Sequence, residues 1–143
     1  RVGMLATNAE FVKWILKVKS NIDSGTFRPL QLAAAKAYRN DDAWHEEANY
    51  ATYARRRTLA EQIMTALNCT FDPKQVGMFL WGRIPETYPN VEELTERVLH
   101  EARVFITPGF IFGSAGERYI RISLCANEEK LSEAFTRVKR VFG

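Results

Sequence analysis

The chain has 143 residues, 46% hydrophobic and 26% charged, which is the balance of a soluble globular protein. Its net charge is +3 with Lys and Arg scattered along the chain, so the composition argues against nucleic-acid binding. No apolar run reaches the length of a membrane span, and the two cysteines have no metal-ligand or disulfide-framework spacing. We therefore expect a cytoplasmic protein that binds no nucleic acid, no membrane and no metal.

The first 40 residues predict two helices. Thr7 with Glu10 three positions later has the form of a capping box, which predicts a helix over 8–20. Polar turn residues follow at 20–26. Pro29 then suits the first turn of a second helix.

Residues 43–67 contain no Gly and no Pro, which predicts one long helix. A helix of this length spans roughly 35–40 Å at 1.5 Å per residue. That is long for a domain of this size, so we expect the segment to connect two domains. Its apolar stripe is predicted at Trp44, Ala48, Ala51, Leu59, Ile63 and Ala66.

After Asp72-Pro73 the pattern becomes β-α-β-β-α, which predicts an α+β fold with helices on one face of a sheet. Asn90 and Asn127 have the sequence context of helix caps. The predicted elements are a strand over 76–81 ended by Gly82 and Pro85, a helix over 90–102, a strand over 104–107, a strand over 118–124 and a helix after 127.

The strand over 118–124 contains a candidate binding residue, Arg121. Because side chains alternate across a strand, Ile120 and Ile122 should share one face with Leu124, and Arg121 should lie on the other. An arginine in mid-strand needs an anionic partner, and its planar fork matches a carboxylate. The local pattern leaves two interpretations open: an ordinary solvated or Glu-paired arginine, or an arginine that binds an anionic ligand.

Residues 105–123 resemble the small domain of class I/II (fold type I) aminotransferases, which depend on pyridoxal 5'-phosphate. The motifs that carry the resemblance are Pro108-Gly109, Phe112-Gly113 and Tyr119-Ile120-Arg121-Ile122-Ser123. The resemblance implies that Arg121 binds the α-carboxylate of the amino-acid substrate and that the loop over 108–116 lies over the site.

Other parts of the chain resemble the same family in the same order. Arg1-Val2-Gly3 resembles the segment in which an arginine binds the phosphate of the cofactor, which makes Arg1 the candidate cofactor-binding residue. Residues 77–81 resemble the first small-domain strand. The resemblance thus implies a remnant of the large domain over 1–40, an interdomain helix over 41–71 and the C-terminal small domain over 72–143.

The resemblance implies that the whole protein is a homodimeric aminotransferase that moves an amino group between an amino acid and a 2-oxo acid. The Schiff-base lysine is expected upstream of Arg1, so no catalytic residue is assigned in this chain and we expect it to be inactive alone. Residues 23–27 resemble the branch with aspartate, alanine and LL-diaminopimelate aminotransferases. The alternatives are a lyase or decarboxylase on the same scaffold, or a non-enzymatic interaction module.

The remaining polar, aromatic and sulfur-containing residues have ordinary structural interpretations. Consecutive arginines at 55–57 point in three directions on a helix and predict a solvated helix with one interface contact. His45 and His100 lack a metal-ligand or catalytic-base partner at useful spacing and are interpreted as surface or cap residues. Cys125 is interpreted as a small hydrophobic residue that ends the apolar face of its strand. The three tryptophans are interpreted as core or interface residues: Trp14, Trp44 and Trp81.

Overall fold

A computed structural model describes residues 2–40, 42 and 50–143. The chain divides into two units, Arg1–Glu46 and Glu47–Gly143. None of the described helices is long and apolar enough to cross a membrane. The division predicted from sequence, at 40 and at 71, stays a prediction.

The first unit contains two described helices, α1 (Ala9–Ile22) and α2 (Arg28–Arg39). The Asn8 side chain accepts a hydrogen bond from the Phe11 amide at 3.0 Å and begins α1. The capping box predicted from Thr7 was therefore wrong by one residue, because Asn8 supplies the oxygen one position later. As predicted, Pro29 lies at the start of α2. Neither helix has a buried residue.

A short turn follows α1 in the same unit. Asp23 accepts a hydrogen bond from the Gly25 amide at 3.0 Å and one from the Lys19 ammonium at 2.8 Å. The bond from Lys19 lowers the pKa of the Asp23 carboxyl below its ordinary value. Gly25 has a φ of 130°, which glycine adopts without strain. Asp23 thus has the turn role that its sequence context indicated.

The second unit has a three-stranded antiparallel sheet in the order β1-β3-β2. Its described helices are α3, α4 and α5, and α4 continues directly into a π-helical turn, Val98–Ala102. This β-α-β-β-α order confirms the predicted α+β class. The bounds are α3 Ala51–Ala66, β1 Phe79–Arg83, α4 Val91–Arg97, β2 Thr107–Pro108, β3 Tyr119–Ser123 and α5 Glu128–Phe142.

The hydrophobic core lies between the sheet and the helices of this unit. Leu80 of β1 and Ile120 of β3 are fully buried and face helix residues such as Ile63 and Val138. α3 packs against α5 and β1, so this described helix belongs to the core of the second unit. Its buried side chains are Ala60, Ile63 and Met64, followed by Leu67.

That pattern corrects the stripe predicted for the long helix. Ile63 was predicted correctly, and Leu59 and Ala66 are partly buried against the core. Ala51 is exposed, and the prediction missed Ala60 and Met64, which are fully buried. Trp44 and Ala48 lie outside the described residues.

The first strand of the sheet begins later than predicted. Gly77 has a φ of 100°, which interrupts an extended strand, and β1 therefore begins at Phe79. Gly82 is inside β1 rather than after it. A Cβ at this position would lie 2.5 Å from the Met64 sulfur, so glycine here allows α3 to approach the strand closely.

Two further predictions need correction. The strand predicted over 104–107 is only Thr107–Pro108, because Arg103, at φ 57°, ends the π-helical turn and Pro108 has no amide to extend the ladder. Leu124, not Cys125, ends the apolar face of β3, and Cys125 is exposed in the turn. The caps predicted at Asn90 and Asn127 are confirmed, since each side chain accepts a backbone amide three residues later.

Candidate functional site

Arg121 lies at the centre of the sheet, on the face away from the core. It pairs with Trp81 of β1 on one side and with Thr107 of β2 on the other. Its neighbours in sequence, Ile120 and Ile122, are buried in the core, whereas Arg121 is partly exposed. The alternation predicted from the sequence is therefore confirmed, and the backbone ladder on both sides fixes the origin of the side chain.

The guanidinium group of Arg121 is flanked by two aromatic rings. Its Cζ lies 4.2 Å from the centroid of the Phe79 ring and 3.9 Å from that of Phe112. Because two rings cannot occupy the same space, Phe79 and Phe112 contact the guanidinium from different directions. Each cation–π contact contributes about 0.5–2 kcal/mol, depending on its exposure to solvent.

The Arg121 side chain has no hydrogen-bond or carboxylate partner within the part of the chain that the structure describes. A guanidinium carries five N–H donors in a planar fork, and ring stacking satisfies none of them. The two rings lie against the group, and no described residue accepts a hydrogen bond from its N–H donors, which leaves them available to a planar anion. Of the interpretations from sequence, a Glu-paired arginine finds no support among the described residues, while a solvated arginine and an arginine that binds an anionic ligand both stay open.

Several other described arginines in this unit do have such partners. Arg118 donates to the backbone carbonyls of Tyr88, Pro89 and Pro85 at 2.7–3.0 Å. These hydrogen bonds stabilise the loop after β1. Arg97 forms a two-bond ion pair with Glu101, which raises the pKa of the guanidinium and lowers that of the carboxyl. Arg121 differs from both because the contacts that its guanidinium makes with described residues are with rings alone.

The arginine run at 55–57 is structural, but each of its three side chains contacts a segment outside α3, where the sequence predicted a single such contact. Arg55 pairs with Glu128 at 3.0 Å, and Arg56 donates to the Leu124 carbonyl at 3.1 Å. Arg57 donates to Glu61 at 3.4 Å and to the Gln75 carbonyl. These contacts attach α3 to neighbouring segments. His100 pairs with Glu96 on the same helical surface, and His45 lies outside the described residues.

Phe112 reaches Arg121 from the loop between β2 and β3. Two 3-10 turns form this loop, Gly109–Phe112 and Ser114–Gly116. Its ends touch backbone to backbone: a Cβ on Gly109 would lie 2.4 Å from the Gly116 carbonyl oxygen, and one on Gly116 would lie 2.1 Å from that of Gly109. Only glycine fits at both positions, and the contact closes the loop.

The strand that carries Phe79 is fixed by a side chain at its free edge. The Gln75 amide nitrogen donates to the Trp81 carbonyl at 2.9 Å, and the Gln75 amide oxygen accepts from the Trp81 amide at 2.8 Å. Gln75 thereby takes the place of a neighbouring strand. Trp81 in turn packs edge-to-face against Phe112, with ring centroids 5.5 Å apart.

Sequence reasoning identified Arg121 but missed Phe79, Phe112 and Gln75 as side chains around it. Phe79 and Phe112 both lie inside segments that resemble the family, but no role was predicted for either ring. Arg1, the candidate phosphate-binding residue, lies outside the described residues, and its role stays a prediction. No cluster of three or more possible metal ligands occurs among the residues that the structure describes.

The model of the family described as "Aminotransferase class I and II" matches residues 1–138. The chain belongs to this family. An LL-diaminopimelate aminotransferase from Oleidesulfovibrio alaskensis is 40% identical over 138 residues, which cover 96% of this chain and 35% of that protein. The chain thus spans about a third of the length of the curated relatives that it matches.

Solved structures agree with this assignment. A protein from Methanococcus jannaschii, reported to have an active site similar to that of kynurenine aminotransferases, matches with a TM-score of 0.76 at 28% identity, over 96% of this chain and 36% of its own. An aromatic aminotransferase from Pyrococcus horikoshii matches with a TM-score of 0.64 at 37% identity, over 78% of this chain and 30% of its own.

Class I and II aminotransferases use pyridoxal 5'-phosphate. When bound, this cofactor acts as the electron sink for chemistry at the substrate Cα. The cavity beside Arg121 is lined by the hydroxyl groups of Thr107 and Ser123, while the residue that the family resemblance gives to the cofactor phosphate, Arg1, lies outside the described residues. We assign no step through the cofactor to these residues, and Arg121 is left as the candidate for the substrate.

Proposed function

We propose that the whole protein is a pyridoxal 5'-phosphate-dependent aminotransferase that transfers an amino group between an amino acid and a 2-oxo acid. In this proposal the present chain supplies the C-terminal domain and Arg121 binds the α-carboxylate of the substrate. The observation that carries the proposal is the arginine held between two rings with no internal carboxylate among the described residues. Membership of the aminotransferase family supports it.

The arrangement gives Arg121 two tasks. Its fork binds both carboxylate oxygens through parallel charge-assisted hydrogen bonds. Because the two bonds lock the plane of the carboxylate, they also limit rotation of the substrate and fix which bond at Cα faces the reacting group. The guanidinium stays a donor throughout and exchanges no proton.

The amino donor is proposed from the relatives. Several of those with 31–40% identity are LL-diaminopimelate aminotransferases, and this supports LL-diaminopimelate as the first donor to test. The likeness to an aromatic aminotransferase supports aromatic amino acids as the second. Both donors carry an α-carboxylate, so Arg121 has the same role for either.

We further propose that the enzyme is a cytoplasmic homodimer. The support for the dimer is the apolar face of α1, on which Phe11, Trp14, Ile15 and Val18 are all exposed. A contiguous exposed apolar patch is typical of an interaction surface. Phosphate-binding by Arg1 also stays part of the proposal.

The test is a product analysis on the purified full-length protein loaded with pyridoxal 5'-phosphate. We expect LL-diaminopimelate or an aromatic amino acid, mixed with 2-oxoglutarate, to yield glutamate and the matching 2-oxo acid in equal amounts. Release of ammonia without glutamate would contradict the proposal and indicate a lyase. Release of CO2 would indicate a decarboxylase, and a protein that turns over no amino acid would favour the interaction module.

A further inference from the structure

We propose that Phe112 is a positioning residue for Arg121, so that the closed loop over 109–116 sets the plane in which the carboxylate is bound. This inference rests on the proposed function, since it concerns how Arg121 presents its fork. The Phe112 ring then belongs to the substrate site, although it lies on a loop and not on the sheet.

The position of Phe112 would bury little of a phenylalanine that had a purely structural role. Its side chain is 48% exposed, and it is not part of the core cluster of the second unit. The ring contacts that it makes are with Arg121, at 3.9 Å, and with Trp81, at 5.5 Å between centroids. The main polar partner of this half-exposed ring is a guanidinium with no other partner among the described residues. A role in orienting that guanidinium explains the position of the ring better than core packing does.

The backbone fixes the position of the Phe112 ring. The Gly109–Gly116 contact closes the loop, and the Gly113 amide donates to the Phe110 carbonyl at 3.0 Å. Gly113 has a φ of 123° directly after the ring, a conformation that favours glycine. The loop therefore holds Phe112 over Arg121 without the help of the hydrophobic core.

The two rings that flank Arg121 differ in how they are anchored. Phe79 belongs to a strand that pairs along its whole length with β3, whereas Phe112 belongs to the loop. An arginine side chain has several rotatable bonds, and a single ring would leave the guanidinium free to turn away. The second ring restricts it to one plane, so the entropy of ordering the fork is already lost before the carboxylate binds.

The experiment uses the full-length holoenzyme and the half-reaction with an L-amino acid, and with the amine that lacks its carboxylate. Phe112→Leu removes the ring but keeps the apolar bulk, and Phe112→Tyr keeps the ring. Phe110→Leu is the matched control, because Phe110 lies in the same 3-10 turn and has no ring contact among the described residues. Each substitution is also made together with Arg121→Ala, and thermal unfolding confirms that every variant is folded.

We expect Phe112→Leu to lower kcat/KM for the amino acid roughly three- to thirtyfold, the range of one cation–π contact. Phe112→Tyr and Phe110→Leu should stay close to wild type, the amine should be unaffected, and the loss should disappear in the Arg121→Ala background. Equal losses for Phe112→Leu and Phe110→Leu, or a loss that persists without Arg121, would overturn the inference while leaving the proposed function intact. If Arg121→Ala leaves kcat/KM for the amino acid unchanged, the result contradicts the proposed role of Arg121 itself.

Discussion

The two units of the chain use apolar helix faces in opposite ways. In the first unit, α1 has an apolar stripe with no buried residue, and Trp14 and Leu16 are more than half exposed. In the second unit, α5 has a comparable stripe but buries Leu131 and Val138. Periodicity therefore tells which residues share a face, and it does not tell what covers that face. The described helices of the second unit share a buried core, whereas no residue of α1 is buried.

The largest expected effect is the contrast between a leucine of the core and one of α1. Leu80→Ala should lower the free energy of unfolding by about 2–5 kcal/mol, because it leaves a cavity beneath the sheet. Leu16→Ala should change it by no more than about 0.5 kcal/mol, since Leu16 is 59% exposed. Urea denaturation of the 143-residue chain, followed by circular dichroism, measures both. Equal losses would show that α1 is packed as firmly as the core.

The next contrast concerns two glycines. Gly109→Ala places a methyl group 2.4 Å from the Gly116 carbonyl oxygen, so the closed loop must open. We expect a loss of about 1–3 kcal/mol, as for other overpacked sites. Gly3→Ala has nothing within 4 Å of the added carbon and should be neutral. Thermal unfolding of both variants provides the measurement, and an unchanged midpoint for Gly109→Ala would mean that the loop is not closed as described.

Helix caps give the smallest contrast. Asn127→Ala removes the hydrogen bond to the Lys130 amide at 3.0 Å and should destabilise the second unit by about 1 kcal/mol. Asn8→Ala removes the equivalent bond to the Phe11 amide and should reduce the helix content of α1 alone. Chemical-shift changes confined to α1, with an unaltered unfolding midpoint, would confirm the difference. A lower midpoint for Asn8→Ala would show that the two units unfold together.

Sequence predicted the parts of the site that depend on local pattern. The alternation of β3 placed Arg121 on the face opposite Ile120 and Ile122, and the family resemblance gave it a role. The sequence did not predict that β1 begins only at Phe79, because the effect of Gly77 on the strand depends on a φ that hydrophobic pattern does not specify.

The contact of Phe112 with Arg121 could not be predicted for a different reason. It depends on the approach of Gly109 and Gly116, which is a backbone contact between residues at the two ends of a loop. The pairing of Gln75 with Trp81 is similar, because a side-chain amide there replaces a missing strand. Both contacts depend on the backbone conformation of an irregular segment, and neither leaves a periodic signal in the sequence.

The role of Arg121 is tested most directly by the effect of its substitutions on two matched substrates of the full-length enzyme. With Arg121→Ala, kcat/KM for an L-amino acid should fall roughly ten- to a hundredfold, the range of a charge-assisted hydrogen bond, while kcat/KM for the corresponding amine should not change. Arg121→Lys should also be impaired, because the ammonium keeps the charge but loses the planar fork. An equal loss on both substrates, or activity that falls only as the folded fraction falls, would show that Arg121 is a structural residue.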